Sequence, residues 1–190
     1  FFSNLILVIF SISVSSSELE KYLNSNQKTF EDIALKIWNY AELGYLENKS
    51  SQALSDELEK NGFTITKSLA GIPTSFKAEY NNGGPIIGIM GEYDALPGLS
   101  QTASPFKEVA LNETNGGHAC GHHLFGAASA WAAVVIKEWM VKNNIEGTIR
   151  FYGTPAEEGG SGKVYLVREG LFKDVDIVLH WHPDDTNSAN

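Results

Sequence analysis

The sequence contains a single cysteine, Cys120, among its 190 residues. An internal disulfide therefore cannot form, and a C-x-x-C redox pair is excluded. Basic residues are also scarce, since 14 Lys and Arg stand against 23 Asp and Glu and give a formal net charge of −9. Binding to nucleic acid or to an anionic membrane surface depends on clustered basic residues, and the sequence contains no such cluster. We therefore expect neither kind of partner.

Long apolar runs are rare as well. The N-terminal run, residues 1–14 (FFSNLILVIFSISV), is too short to span a bilayer comfortably, so no integral membrane span is expected. Three serines follow it, and the combination resembles the apolar region and exit of a secretion signal, with a buried first strand as the alternative. We expect a signal-like segment at residues 1–17, which favours export over the cytoplasm, and one domain over residues 18–190. An apolar content of 43% is enough for a substantial core.

Apolar periodicity predicts an α/β fold with a largely parallel sheet flanked by helices. Helices are expected over residues 30–42, 50–61 and 163–168, together with a long one after Gly126. Strands are expected over residues 63–67, 74–80, 85–90, 148–152 and 176–179. The sequence NNGG at residues 81–84 predicts a hairpin between the second and third strands. The last strand is apolar throughout and is predicted to be buried.

Residues 116–126 (GGHACGHHLFG) concentrate metal-ligand side chains in a glycine-rich loop ahead of the long helix. Imidazole and thiolate are the ligands that zinc and related ions prefer, so the loop predicts a metal site. In an extended segment Cys120 and His122 would project to the same side and face one ion together. His118 has the same phase, and the spacing alone does not separate it from them.

Polar side chains also follow three predicted strands, in residues 91–97, 153–160 and 180–183. Binding sites of open α/β sheets lie beyond the carboxyl ends of the strands. The pair Glu157 and Glu158 follows one strand, and one carboxylate can bind a metal while its neighbour accepts a proton from water. Together with the Cys and His side chains, this supplies enough ligands for one or two zinc-like ions. The pattern predicts a hydrolase.

Six segments carry a resemblance to a known family: WNYAELGYLENKS, AGIPTSF, IGIMGEYDALPGLSQ, GGHACGHHLFGAAS, GTIRFYGTPAEEGGSGKVYLVREG and DVDIVLHWHP. Together they resemble the amidohydrolase branch of the aminoacylase and carboxypeptidase family of dinuclear metallopeptidases, and within it the aminobenzoyl-glutamate hydrolases. The resemblance covers about residues 37–183. It implies the N-terminal part of a zinc-exopeptidase-like catalytic domain, with the lid or dimerisation domain and a last His ligand beyond Asn190. A homodimer or hetero-oligomer is expected for the full-length protein.

The resemblance also implies roles for individual residues. Carried over by motif, the metal ligands are Cys120, His122, Glu158 and His182. Glu157 is implied as the general base. Asp94 is implied as a residue that contacts the ligands without binding metal itself, and His180 as a histidine outside the ligand set. Two divalent ions, zinc or manganese, are expected as cofactors. The implied substrate is a small N-acyl or N-aroyl amino acid such as p-aminobenzoyl-glutamate.

Two other functions are compatible with the same residues. A non-catalytic metal-binding fragment would use the ligands alone and would have no need of the Glu157 carboxylate. A cysteine-nucleophile amidase would instead use Cys120 with a neighbouring histidine. Chelation separates these functions, because EDTA removes the activity of a metalloenzyme and leaves a thiol amidase unaffected.

Overall fold

The computed structural model describes residues 16–111, 114–186 and 188. The described chain begins with two helices, continues with a run of strands, and alternates between helix and strand from residue 122 onward, in the order that the apolar periodicity predicted. In order, they are α1 (Ser16–Tyr40), α2 (Asn48–Lys60), β1 (Thr64–Lys67), a short 3-10 turn (Leu69–Gly71), β2 (Phe76–Asn82), β3 (Ile86–Gly91), β4 (Leu96–Pro97), β5 (Gly116–Gly117), α3 (His122–Asn143), β6 (Gly147–Gly153), α4 (Gly162–Arg168) and β7 (Ile177–Leu179).

The main sheet has five strands in the order β1-β2-β6-β3-β7. Strands β6, β3 and β7 are mutually parallel and form the half of the sheet that carries the polar loops. Strands β1 and β2 are antiparallel and complete the other side, with β2 paired to β6. The predicted α/β fold with a central sheet flanked by helices is confirmed.

Helices cover both faces of this sheet. Phe151 of β6 belongs to the larger core, which contains buried residues of α1, α2 and α3. Its neighbour Tyr152 points to the opposite face, where it packs with Leu166 of α4 and Leu69. Because successive strand residues face opposite sides, the buried strand β6 fixes the positions of both helical layers.

Helix α3 (His122–Asn143) is long and apolar enough to cross a membrane by length and composition alone. Half of its most apolar stretch is buried inside the protein, against α1 and the sheet. This is the pattern of a core helix, which needs apolar residues over most of its circumference.

The hairpin predicted at residues 81–84 is wrong. Strands β2 and β3 are not paired, because β6 lies between them and pairs with both. The turn instead passes over the beginning of β6. There the Asn82 side-chain amide donates to the Ile145 carbonyl at 3.1 Å, and the Thr148 hydroxyl donates to the Gly83 carbonyl at 3.1 Å.

The prediction that the last strand is buried is also wrong for the described residues. Strand β7 pairs only with β3 at the edge of the sheet, and Ile177, Val178 and Leu179 are all exposed. An apolar run indicates a strand but does not determine where in the sheet that strand lies. A strand at the edge has only one neighbouring strand and is therefore less buried than a central one.

Helix α1 is longer than the predicted helix over residues 30–42, since it begins at Ser16 and ends at Tyr40. Residues 16–29 carry few apolar side chains and so lack the periodic stripe that marks the later turns. They contain good helix formers, and i,i+4 contacts join Gln27 to Glu31 and Lys28 to Asp32. The signal-like segment of residues 1–17 lies almost wholly outside the described residues and stays a prediction.

Candidate metal centre

The three polar loops meet at one edge of the sheet. Because β3, β6 and β7 are parallel, their carboxyl ends lie side by side. Glu92 and Asp94 follow β3, Glu157 follows β6, and His182 follows β7. The structure therefore brings together the loops that the sequence placed at strand ends.

The N-terminus of α3 closes this edge, through two glycines that permit close approach. Gly121 precedes the helix with a φ of 80°, and a Cβ there would lie 3.0 Å from Pro183. A Cβ at Gly126 would lie 2.5 Å from the Glu92 carbonyl oxygen, so only glycine lets the first turns of α3 rest on the end of β3. Cys120 lies in a turn and His122 begins the helix, so the extended geometry assumed for this pair is wrong.

One group of donors consists of Cys120, His122 and His182, whose ligand atoms lie within 4.8 Å of one another. The Cys120 Sγ atom is 3.2 Å from His182 Nε2. The other ring nitrogen of His182, Nδ1, lies 2.8 Å from the Pro183 carbonyl oxygen, which can only accept a hydrogen bond. Nδ1 therefore carries the proton, and the Nε2 lone pair faces the centre of the group.

His122 has the environment of a metal-binding imidazole. Its Nδ1 lies 2.9 Å from Asp94 Oδ1 and therefore donates to that carboxylate. Its Nε2 is buried without a hydrogen-bond partner, although Glu92 Oε2 is 2.8 Å away. A lone pair facing a carboxylate oxygen at this distance requires a positive charge between them, either a proton or a metal ion. This orphaned atom and the soft and borderline donors around it fit a divalent cation.

The pKa values of His122 and Glu92 also indicate that a positive charge is favoured between them. Burial lowers the pKa of His122, but the neighbouring carboxylates of Asp94 and Glu92 outweigh burial and raise the pKa to about 10. Burial raises the pKa of Glu92, but contacts with His122 and Lys163 outweigh burial and lower the pKa to about 2. The carboxylates of Glu92 and Asp94 beside the His122 ring thus favour a positive charge at this point.

A second group consists of Glu92, His122 and Glu157, again with donor atoms within 4.8 Å of one another. Glu92 is only 2% exposed, contacts Lys163 Nζ, and lies 3.7 Å from His180 Nε2. The sequence patterns did not single out Glu92. Its position directly after the apolar strand β3, two residues before Asp94, was the available signal.

The adjacent glutamates have different environments. Glu157 is exposed. Glu158 is half-buried; its backbone N–H donates to Asp94 Oδ2 at 2.8 Å, and its Oε1 is buried without a partner. The Glu158 carboxylate interacts with the Cys120 thiol, but it belongs to neither group of mutually close donors among the described residues. Their separate roles stay predictions.

The remaining histidines of the loop face the core. His118 Nε2 lies 3.0 Å from the Ile37 carbonyl oxygen, and burial lowers the pKa of His118 to about 4. His123 packs edge-on against Trp38, with ring centroids 4.9 Å apart. Within the part of the chain that the structure describes, neither belongs to a donor group. His118, which the spacing left open, therefore lies apart from the centre.

The segment that contains this centre matches a known protein family. The profile of Peptidase family M20/M25/M40 matches residues 88–190, more than half of the chain, which include both donor groups and β7. The chain belongs to this family of peptidases.

Individual proteins similar to this chain include two curated relatives and one solved structure. The chain is 43% identical over 166 residues to one subunit of the p-aminobenzoyl-glutamate hydrolase from Escherichia coli (strain K12), covering 87% of this chain and 34% of the relative. It is 30% identical over 169 residues to a Xaa-Arg dipeptidase from Homo sapiens, covering 80% and 35%. A solved dinuclear metal-binding peptidase of the M20 family from Bacillus subtilis superimposes with a TM-score of 0.65 at 25% identity, covering 85% and 44%. The chain thus spans about a third of the length of these curated relatives.

Proposed function

We propose that this chain carries most of the metal centre of a hydrolase that cleaves the amide bond of an N-acyl or N-aroyl amino acid, such as p-aminobenzoyl-glutamate. The observation that carries the proposal is the convergence of Cys120, His122 and His182 beside the exposed carboxylate of Glu157. The 43% identity to the p-aminobenzoyl-glutamate hydrolase chain supports the substrate class. Export and assembly as a homodimer or hetero-oligomer belong to the same proposal.

Cys120, His122, His182 and Glu158 would hold divalent ions, zinc or manganese, and His122 is shared between the two donor groups. Asp94 orients two of these ligand residues. One of its carboxylate oxygens accepts a hydrogen bond from His122 Nδ1, and the other accepts one from the Glu158 backbone N–H. A carboxylate in this position fixes the imidazole tautomer and strengthens the ring as a ligand. Bound divalent ions would polarise the amide carbonyl and lower the pKa of a nearby water molecule.

Glu157 would transfer a proton from the attacking water to the leaving nitrogen. A Glu157 carboxylate oxygen accepts a proton from the attacking water as the water oxygen bonds to the amide carbon. Glu157 then donates this proton to the leaving nitrogen as the carbon–nitrogen bond breaks. The products are the free acid and the amino acid, and the carboxylate returns to its ionised state.

The cysteine-nucleophile alternative is disfavoured by the surroundings of Cys120. Burial and the negative charge of Glu158 raise the pKa of this thiol to about 11. The thiolate is the nucleophilic form, and cysteine nucleophiles lie in environments that lower the pKa. A non-catalytic metal-binding protein is distinguished by experiment, because it would show no amide hydrolysis whether or not Glu157 is present.

A substrate panel tests the proposed activity. We expect the full-length protein to hydrolyse p-aminobenzoyl-glutamate or an N-acyl amino acid with a higher kcat/KM than a Xaa-Arg dipeptide or a long peptide. EDTA should abolish this activity, and zinc or manganese should restore it. Efficient cleavage of a long unmodified peptide, with no turnover of acyl-amino acids, would refute the substrate class. Full activity in EDTA would refute the metal mechanism.

A further inference from the structure

A buried carboxylate outside both donor groups supports the loop that carries Glu157. Glu47, which lies just before α2, is 0% exposed. Its Oε1 accepts the backbone N–H of Ala156 at 2.8 Å, and its Oε2 accepts the Thr74 hydroxyl at 2.8 Å. Ala156 directly precedes Glu157, so this contact is one residue from the proposed base.

The backbone of Ala156 depends on such a contact. Ala156 is fully buried and has a φ of 55°, a conformation that side chains with a Cβ rarely adopt. Its N–H has no access to water, so the loss of Glu47 would leave a buried donor unsatisfied. Residues in this backbone region persist only where their surroundings hold them, and they concentrate at functional sites.

Neighbours of Glu47 reinforce the same loop. A Cβ at Gly44 would lie 3.1 Å from Ala156 Cα, so the two backbones are in close contact. The Tyr45 hydroxyl donates to the Gly160 carbonyl at 2.6 Å. Residues 44–47 therefore contact the Glu157 loop on both sides of the glutamate pair.

Packing alone does not account for an acid at position 47. Burial raises the pKa of Glu47 to about 6, against the smaller opposing effect of its hydrogen bonds. Burying a carboxyl group this completely is costly unless hydrogen bonds compensate, and Glu47 accepts such bonds from Ala156 and Thr74. A second buried acid of the same segment, Glu42, offers a contrast, because its carboxylate accepts from Lys49 and Ser50 at the beginning of α2.

We propose that Glu47 is a positioning residue that holds Ala156 in its left-handed conformation and so aims the Glu157 carboxylate at the reacting atoms. This inference rests on the proposed role of Glu157 as the base. The hydrogen bonds of Glu47 run to Ala156 and Thr74, and neither of these is a candidate metal ligand. Removal of Glu47 should therefore lower kcat while leaving metal content unchanged.

The test compares three variants of the full-length protein. Glu47→Leu keeps the volume and removes both acceptors, Glu47→Gln keeps an oxygen for the Ala156 N–H, and Glu42→Leu makes the matched change at the beginning of α2. We expect both Leu variants to lower Tm, but only Glu47→Leu to lower kcat, by about 10- to 100-fold with KM changed much less. Glu47→Gln should recover most of kcat. Metal content should match that of the unmodified protein in all three.

Three results would overturn the inference: unchanged kcat in Glu47→Leu, an equal fall in Glu42→Leu, or no recovery in Glu47→Gln. If Glu47→Leu fails to fold, Thr74→Val provides the test, because it removes the side-chain hydroxyl that donates to the Glu47 carboxylate. It should then lower kcat to a smaller extent, and an unchanged kcat overturns the inference. Glu157→Gln is measured alongside. Full activity in that variant refutes the proposed function itself, whereas an inactive Glu157→Gln with a normal Glu47→Leu refutes only the role of Glu47.

Discussion

Replacing Glu157 by Gln should lower kcat by about 10²- to 10⁴-fold while metal content stays near normal. The substitution keeps the shape of an exposed side chain and removes its ability to accept a proton, and general acid–base catalysis typically contributes a factor of this size. KM should change much less, because the lost function acts mainly in the transition state. Steady-state kinetics and metal stoichiometry on the full-length protein give the result.

Glu158→Gln is the matched comparison, because it makes the same chemical change one residue later. Its neutral amide oxygen is a poorer donor to a dication, so this variant should lose metal. The opposite outcome, metal loss in Glu157→Gln with a fully metallated Glu158→Gln, would show that the two roles are reversed. The two variants probe different places, because Glu157 belongs to the donor group with Glu92 and His122 and Glu158 belongs to neither group of the described residues.

The second large effect concerns His122, whose substitution by Asn should abolish tight zinc binding. His122 is the only residue common to the two donor groups found among the described residues. Asp94→Asn should weaken zinc binding by about 10- to 100-fold, because the carboxylate that orients the imidazole is lost. Competition with a chromogenic chelator measures both affinities.

His123→Asn serves as the control for these variants. It changes the adjacent histidine, which packs against Trp38 and belongs to neither donor group of the described residues. Zinc affinity should stay within about threefold of the unmodified protein, because the substitution leaves every candidate ligand in place. Equal losses in His122→Asn and His123→Asn would indicate a general collapse of the loop, and the assignment of His122 as a ligand would fail.

Much of this centre could be predicted from the sequence because it depends on local chemistry. Cys120, His122 and the glutamate pair indicate metal-dependent hydrolysis through residue type and spacing, and the strand-end positions of their loops follow from apolar periodicity. His182 is brought in by the parallel arrangement of β7 and β3. These features require only that each strand be recognised and that the three be parallel.

What the sequence did not reveal depends on contacts between distant segments. The NNGG turn is typical of a hairpin, and nothing local indicates that β6, which begins only at Gly147, lies between β2 and β3. The positions of Glu92 and Glu47 were missed for the same reason. Each is a single acid whose partners, Lys163 for Glu92 and Ala156 for Glu47, come from other elements.

The central claim is that Cys120, His122 and His182 bind a metal ion, and zinc K-edge X-ray absorption on the zinc-loaded protein tests it most directly. A thiolate ligand gives a sulfur scatterer at about 2.3 Å, with imidazole nitrogens at about 2.0–2.1 Å. We predict that this sulfur signal is present and that Cys120→Ser, which removes the only cysteine, eliminates it. Stoichiometrically bound zinc with a shell of nitrogen and oxygen alone would contradict the claim.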